Sequence, residues 1–363
     1  MNAKTNRNAL DFLKFVFSVV IVLFHSRMLT DYQENWIVVN GRAGVEFFFI
    51  VSGCLMCASA ARSREENIGL DTFRFMWKKV CRLVPNFIIA YFIAFLVYHY
   101  NAGITEANTI FINAIKSLPE LLLIKNSGIR FASYNGPTWY ISAMLLNMLV
   151  LYPLLRKLKD GFYVLALPLM LLILGNFFQE FGTLSDLENW NGWILKGTLR
   201  GTAGLLAGCL CYKAGTALGR KECTMFGKAV FMVLEWGSYI AAIILSCISF
   251  SSHLDYLIFL LFMIGVTITY ANITFDSAIF RAGIFPWLGS FSYSLYLGHS
   301  CWREFTENIY PREWSFKQQL VCFLVLSVWN GLIIHYLSVF LRALHEEKGE
   351  KIKALFFLPE KDK

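Results

Sequence analysis

Three side chains in this sequence are suited to proton transfer, although each lies in a strongly apolar stretch. They are His25 in LDFLKFVFSVVIVLFHS, Glu46 in GRAGVEFFFIVSG and His299 in LGSFSYSLYLGHS. An imidazole can take the proton of a hydroxyl, while a neighbouring carboxylate or second imidazole fixes its tautomer. No serine or cysteine motif of the nucleophile-elbow type accompanies them. The residue types therefore favour direct attack by an activated hydroxyl over a covalent intermediate on the protein.

The apolar segments that must position these residues are typical of a protein embedded in lipid. The chain has 363 residues, of which 56% are hydrophobic and only 16% are charged, against roughly 25% charged in a typical soluble domain. A helix crosses the bilayer with about 20 apolar residues. The sequence therefore predicts an all-α integral membrane protein with about ten transmembrane helices. The predicted spans are approximately 9–28, 42–61, 83–100, 137–155, 161–178, 193–212, 229–250, 255–273, 284–304 and 318–341.

The basic residues indicate how these spans are oriented. With the N-terminus inside, 22 of the 33 lysines and arginines fall in inner segments, seven in outer segments and four within spans. Positive residues accumulate on the cytoplasmic side, so both termini are predicted to be cytoplasmic. Anionic lipid on that side accounts for the net charge of +8 without a nucleic acid partner. We assign residues 1–342 to a single transmembrane domain and residues 343–363 to a short charged cytoplasmic tail.

Polar residues of the first span lie along one helix face. Asp11, Lys14, Ser18 and His25 recur at intervals of three or four residues or near multiples of these. The rise from Lys14 to His25 is ~16 Å, which places His25 near the outer end. Such a stripe usually faces the interior of a helix bundle or a wet cavity. The alternative is that Lys14 pairs with Asp11 and reaches the inner surface, with His25 at the interface.

The second and ninth spans place Glu46 and His299 at a similar depth, in the outer half of the membrane. Small residues in the second span would let another helix approach it closely. Alternatively, Glu46 forms a local pair with Arg42, four residues away. Tyrosine near a membrane boundary is also common as an interfacial belt residue, so Tyr293 and Tyr296 fit either a cavity wall or such a belt.

Several cations lie close to the spans or inside them. Lys78, Lys79 and Arg82 precede the third span, and Arg200 lies in the sixth. An unpaired arginine at the membrane centre costs about 2.5–3.5 kcal/mol, so Arg200 is expected to line a cavity or to pair with a carboxylate. Lysine and arginine suit polyanionic ligands. Ordinary anchoring at the inner face is the alternative for the first three.

Cys54 and Cys57 form a CxxC motif inside the second span. A zinc or redox site needs further ligands and access to solvent, whereas the surrounding residues here are apolar. The predicted role of both cysteines is packing, and the sequence predicts no metal site.

Five segments, in order, resemble the signatures of the acyltransferase-3 family, and the resemblance runs from about residue 7 to 342. RNALDFLKFVFSVVIVLFHS and GRAGVEFFFIVSGCLM are similar to its first two motifs. KKVCRLVP resembles the basic motif that opens its third span. PTWYISAMLLNMLVLYPLL and LGSFSYSLYLGHS resemble the later ones. Each motif is degenerate, but five in register form a specific signal.

The resemblance implies a bacterial inner-membrane enzyme that transfers an acyl group, acetyl by default, from cytosolic acyl-CoA to a hydroxyl of an envelope or exported glycan. Acyl-CoA is then a substrate and no cofactor is bound permanently. The other implied partners are a glycan or lipid-linked saccharide acceptor and membrane lipid. By resemblance His25 is the general base, and Glu46 or His299 orients it. The residues themselves leave open whether His25 or His299 is the base. The expected donor-binding residues are Lys14, Lys78, Lys79, Arg82 and Arg200, and the residues expected to line the acceptor side or the cavity are Asp11, Ser52, Trp139, Tyr140, Tyr293 and Tyr296.

One position departs from the family pattern. In many members a glutamate follows the fourth-span tryptophan by five residues, whereas Met144 stands at that distance from Trp139. Asn147 is then the strongly polar residue in the interior of that span. An acceptor role that depends on the glutamate does not carry over to this chain.

A multi-span transporter or exporter of a glycan precursor is the alternative function. Charges within spans and glycine-interrupted helices occur in such proteins as well. The glycine-rich segments GRAG and GTAGLLAG, however, do not occupy matching positions in two halves of the chain. The sequence therefore favours the enzyme.

Overall fold

A computed structural model describes residues 3–29, 38, 40–129, 132–184, 189–248, 253–274, 278–304 and 314–356. Within these ranges the chain is almost entirely helical, and the one sheet is a short antiparallel ribbon of β1 (Trp190–Asn191) and β2 (Ile194–Leu195). The helices are α1 (Ala3–His25), α2 (Gly44–Arg62), α3 (Ile68–Asn101), α4 (Ala107–Lys116), α5 (Leu118–Leu121), α6 (Thr138–Leu158), α7 (Asp160–Glu180), α8 (Lys196–Leu218), α9 (Met225–Ile248), α10 (Leu254–Ala271), α11 (Ile284–Gly298), α12 (Ser300–Glu304) and α13 (Phe316–Phe356).

Eight helical segments among the described residues are long and apolar enough to cross a membrane. Each of the ten predicted spans falls on a helix, and the two outside that group of eight are α8 and α11. α8 carries Lys196, Arg200 and Lys213, and α11 has 15 residues, fewer than the about 20 that span a bilayer. The chain is an all-α, multi-pass membrane protein, as the sequence predicts. Ten spans and cytoplasmic termini stay predictions.

The sequence predicts a basic inner loop over residues 62–82, between the second and third spans. Most of this segment is helical instead. α3 begins at Ile68, where the side chain of Asn67 accepts a hydrogen bond from the amide of Leu70 at 2.9 Å and caps the helix. The cations that follow therefore lie at fixed positions around a helix. Lys78 and Arg82, four residues apart, share one of its faces.

The last two spans also differ from their predicted shape. The predicted span 284–304 is broken, because α11 ends at Gly298 and α12 begins at Ser300. α13 continues to Phe356 and so extends well into the segment assigned to the tail. The break in the ninth span matters for the site, because His299 is the residue between the two helices.

Glycine allows α2 and α8 to pack backbone to backbone. A β-carbon added to Gly208 would overlap the carbonyl oxygen of Ile50 and would lie 2.8 Å from the α-carbon of Gly53. One added to Gly53 would overlap the carbonyl oxygen of Leu205. Close packing through small residues is common between helices in membranes. Cys54 packs at the same contact, where its thiol donates to the carbonyl oxygen of Gly208 at 3.0 Å.

We expect Gly208→Ala to destabilise the protein by about 1–3 kcal/mol or more, because backbone atoms must move apart to admit the methyl group. Gly175→Ala is the matched control, since Gly175 lies in α7 with nothing within 4 Å of its β position. That change should stabilise the helix by roughly 0.5–1 kcal/mol. Melting temperatures in detergent measure both effects. Equal melting temperatures for the two variants would show that the α2–α8 contact tolerates a side chain.

Candidate active site

α1 and α11 run in the same direction and meet along the polar face of α1. Asp11 lies so close to Gly289 that a β-carbon on the glycine would overlap its side chain. Further along, the hydroxyl of Ser18 donates to the carbonyl oxygen of Ser292 at 3.1 Å. The contact between the two helices ends at His25 and His299, on the side of the membrane that is predicted to be outer. The polar stripe of the first span therefore faces the ninth predicted span, inside the bundle.

Side chains satisfy the last carbonyl oxygens of α11. A helix end leaves carbonyl groups without partners inside the helix. Nδ1 of His299 lies 2.8 Å from the carbonyl oxygen of Tyr296. The next two carbonyl oxygens accept from the side-chain amides of Asn135 at 3.1 Å and Asn330 at 2.7 Å. His299, only 1% exposed, is thereby held at the break between α11 and α12.

His25 and His299 form a hydrogen-bonded pair, with Nε2 of His299 3.0 Å from Nδ1 of His25. A carbonyl oxygen only accepts, so the contact with Tyr296 puts the proton of a neutral His299 on Nδ1 and its lone pair on Nε2. That lone pair accepts from Nδ1–H of His25, which also lies 3.0 Å from the carbonyl oxygen of Ile21. A neutral His25 then carries its lone pair on Nε2, where it can take a proton from a hydroxyl.

The two imidazoles differ in exposure as well as in hydrogen bonding. His25 is half-buried, whereas His299 is buried completely. The sequence leaves Glu46 and His299 open as the group that orients His25. In the described structure the hydrogen-bond partner of the His25 imidazole is His299.

Glu46 takes a different position from the one suggested for it beside the imidazole. Its carboxylate forms a buried ion pair with Nε of Arg200, whose guanidinium also donates to the carbonyl oxygen of Arg42 at 3.2 Å and lies 5.2 Å from the ring of Trp139. The local pair with Arg42 does not form, since the Arg42 side chain is directed to Asp255 at 4.0 Å. Glu46 therefore neutralises a cation that would be costly in the membrane if it were unpaired.

Residues predicted to line the acceptor side form a group beside the histidines. The ring of Tyr296 lies 6.0 Å from that of His299 and 5.9 Å from that of Tyr140. The hydroxyl of Tyr140 is 3.1 Å from Oγ of Ser52. The hydroxyl of Tyr296 donates to the carbonyl oxygen of Pro137 at 3.1 Å. The structure thus brings Ser52, Tyr140 and Tyr296 together next to the imidazole pair.

The other two aromatic candidates lie at the edges of this group. Trp139 is half-buried and packs on the ring of Phe49 at 5.8 Å, on the side of the buried arginine. The hydroxyl of Tyr293 donates to the carbonyl oxygen of Leu83 in α3 at 3.4 Å. Tyr293 therefore joins α11 to α3, below the level of His299.

The cations predicted to bind the donor occupy different environments. Lys14 pairs with Asp11 at 2.8 Å, and the side chains of both are partly exposed. Lys79 is half-buried and close enough to Lys14 and Arg82 for electrostatic interaction. Lys78 and Arg82 are exposed. The fifth cation, Arg200, is buried and forms an ion pair with Glu46.

The sequence model of the acyltransferase-3 family, described as an acyltransferase domain, matches residues 7–339, which is most of the chain. The chain belongs to the acyltransferase-3 family. The resemblance carried by the five motifs is therefore confirmed, and the protein is a multi-pass membrane acyltransferase. No curated protein and no solved structure gives a significant match to it.

The fourth-span position at which many members of the family carry a glutamate holds the buried Met144. Asn147, one turn further, does not stand in for that carboxylate. Its amide donates to the carbonyl oxygens of Ala143 at 2.8 Å and Thr198 at 2.9 Å, and its oxygen accepts from Thr202 at 2.6 Å. Asn147 therefore ties α6 to α8.

Sequence reasoning missed Glu120, a fully buried carboxylate in the segment between α3 and α6. It organises the loop 133–138, which carries the asparagine that caps α11. Glu120 is the single acid in KSLPELLL, and the sequence does not show that it is buried, because two of its four hydrogen-bond partners are backbone amides. It accepts from the hydroxyls of Thr138 at 2.7 Å and Ser133 at 3.1 Å, and from the backbone amides of Tyr134 at 2.8 Å and Asn135 at 3.1 Å.

We expect Glu120→Gln to loosen the loop 133–138 and to lower stability by about 1–3 kcal/mol, because its new NH₂ group would face hydrogen-bond donors. Hydrogen exchange in peptides from this loop should rise. Glu106→Gln is the control, since Glu106 is exposed and its side chain accepts from Thr109 alone in the described contacts. Unchanged exchange in the Glu120 variant would show that the carboxylate does not hold the loop.

Proposed function

We propose that this acyltransferase takes an acyl group, acetyl by default, from cytosolic acyl-CoA and transfers it to a hydroxyl of an envelope or exported glycan at the bacterial inner membrane. The observation that carries the proposal is the hydrogen-bonded pair of His25 and His299 at the end of the α1–α11 contact. The substrates are acyl-CoA and a glycan or lipid-linked saccharide. Membership of the family favours this enzyme over a glycan exporter.

In the proposed reaction, Nε2 of His25 takes the proton of the acceptor hydroxyl as its oxygen attacks the carbonyl carbon of the thioester. The Nδ1–H of the resulting imidazolium stays directed at Nε2 of His299, which stabilises its charge and orientation. The carbon–sulfur bond then breaks, and the sulfur of CoA leaves with the proton held on Nε2. His25 returns to its neutral form, and the acyl group is esterified to the acceptor.

Basic residues at the predicted inner ends of α1 and α3 support a donor that binds from the cytosol. Lys79 lies within electrostatic range of Lys14 and Arg82, and such groups suit the pyrophosphate and 3′-phosphate of CoA. The polar face of α1 is packed against α11 between Lys14 and His25. The pantetheine arm would run beside this contact to bring the thioester to the base.

Inverted membrane vesicles from the host, which retain its lipid-linked saccharides, test this proposal with acetyl-CoA labelled in the acetyl group. The protein should release free CoA and transfer the label to a saccharide. Vesicles without the protein supply the background. Release of CoA no greater than this background would contradict the donor assignment, and label that accumulates in the lumen without CoA release would indicate transport.

A further inference from the structure

A polar cavity of about 430 Å³ opens between the end of α2, the connector 63–67 and the first turns of α3. Small-molecule sites typically have volumes of about 300–1,000 Å³. Under the predicted orientation this cavity faces the cytosol. We call it the α2–α3 pocket, and its charged lining residues are Arg62, Arg64, Glu65, Asp71, Arg74 and Lys78.

A buried network holds the wall of this pocket in place. Asp71 accepts from the hydroxyl of Ser63 at 2.6 Å and from that of Tyr152 at 3.0 Å, and it pairs with Nε of Arg156 at 2.8 Å. Arg156 also donates to the carbonyl oxygen of Glu65 at 2.5 Å. These contacts tie the connector and α3 to α6. The pocket is therefore a built feature of the fold and not a gap between separate loops.

The pocket carries more positive charge than its own carboxylates neutralise. Asp71 is paired with Arg156, and Glu65 is paired with Arg74. The remaining cations have no acidic partner among the described residues, and their side chains are exposed. These cations are Arg62, Arg64 and Lys78. Three such groups around one cavity favour an anion that carries several negative charges, and arginine in particular binds phosphate through two parallel hydrogen bonds.

We propose that the α2–α3 pocket binds the phosphorylated nucleotide end of acyl-CoA, with Arg64 and Lys78 contacting its 3′-phosphate. This inference rests on the proposed function, which supplies the cytosolic donor. Lys78 shares a face of α3 with Arg82, one turn deeper in the predicted orientation. The pyrophosphate would follow that face toward Lys79 and Lys14. Lys78 thus links the pocket to the basic group near α1.

An anionic phospholipid also presents a phosphate at the inner membrane surface, so the test must separate it from a nucleotide. The probe is adenosine 3′,5′-bisphosphate, and 5′-AMP is the same nucleotide without the 3′-phosphate. Binding is measured by calorimetry on the full-length protein in detergent, and melting temperature is measured in nanodiscs with and without phosphatidylglycerol. The variant is Arg64→Gln/Lys78→Gln. The matched control is Arg220→Gln/Lys221→Gln, which removes two exposed cations from the inner connector between α8 and α9.

The wild-type protein and the control should bind the bisphosphate at least tenfold more tightly than 5′-AMP. The variant should lose this preference. A variant that retains it would overturn the proposal. The proposal would also be overturned if the variant bound the bisphosphate normally but phosphatidylglycerol no longer raised its melting temperature. The pocket would then hold a lipid headgroup. The binding measurement needs no acyl transfer, so binding through the pocket without CoA release would contradict the proposed function and leave the pocket assignment standing.

Discussion

Replacing His25 by alanine should abolish acyl transfer while the protein remains folded in the membrane. This imidazole carries the lone pair that we propose takes the proton, and loss of a general base typically lowers the rate by ~10²–10⁴-fold. Its side chain is only half-buried, so we expect little change in stability. CoA release and the detergent melting temperature measure the two effects. His253→Ala is the control, because His253 is an exposed histidine outside the site.

His299 variants separate the base from the group that orients it. His299→Ala should reduce the rate less than His25→Ala does, because the base remains but loses the acceptor for its Nδ1–H. His299→Gln keeps an oxygen that can accept this hydrogen bond, so it should retain more activity than the alanine variant at equal melting temperature. If His25→Ala were active and His299→Ala inactive, His299 would be the base. If both alanine variants were active, the proposed mechanism would be contradicted.

Breaking the buried ion pair between Glu46 and Arg200 should destabilise the protein more than any exposed charge change. Both side chains are almost completely buried. Glu46→Leu would leave the guanidinium uncompensated, and such losses cost about 3–5 kcal/mol. Glu46→Leu/Arg200→Met removes both charges and should recover most of that stability, since apolar residues of similar size often replace a buried pair without loss. Melting temperatures of the single and double variants check this.

The exposed pair of Lys213 and Asp160 is the control for this experiment. Asp160→Asn should leave the melting temperature unchanged, because exposed ion pairs contribute little. The double variant also decides what Glu46 does in the reaction. A stable double variant with normal transfer would make the pair structural. A stable double variant without transfer would show that Glu46 or Arg200 takes part in the reaction.

Much of the fold could be predicted because it depends on local patterns. Every predicted apolar run falls on a helix, and the three-to-four-residue spacing places Asp11, Lys14, Ser18 and His25 on one face of α1. The Lys14–Asp11 pair joins residues one turn apart. The break at His299 was hidden, because Gly298 and the polar side chains that cap α11 do not interrupt an apolar run.

The partners of charged groups in different helices could not be predicted. The sequence marked Glu46 and Arg200 as costly charges, yet they are 154 residues apart, and periodicity does not say which helices become neighbours. The shared depth of His25 and His299 made their contact one possibility among several. Glu120 gave no signal, because half of its partners are backbone amides of a loop whose path depends on tertiary packing.

The most direct test of the central claim is the ester content of the host's surface glycan, measured by mass spectrometry. The strain that lacks the protein is compared with the same strain carrying the wild-type protein or His25→Ala at equal membrane levels. The account predicts an acyl ester with the wild type and none with either the deletion or the variant. An ester that survives deletion, or that His25→Ala restores, would contradict it.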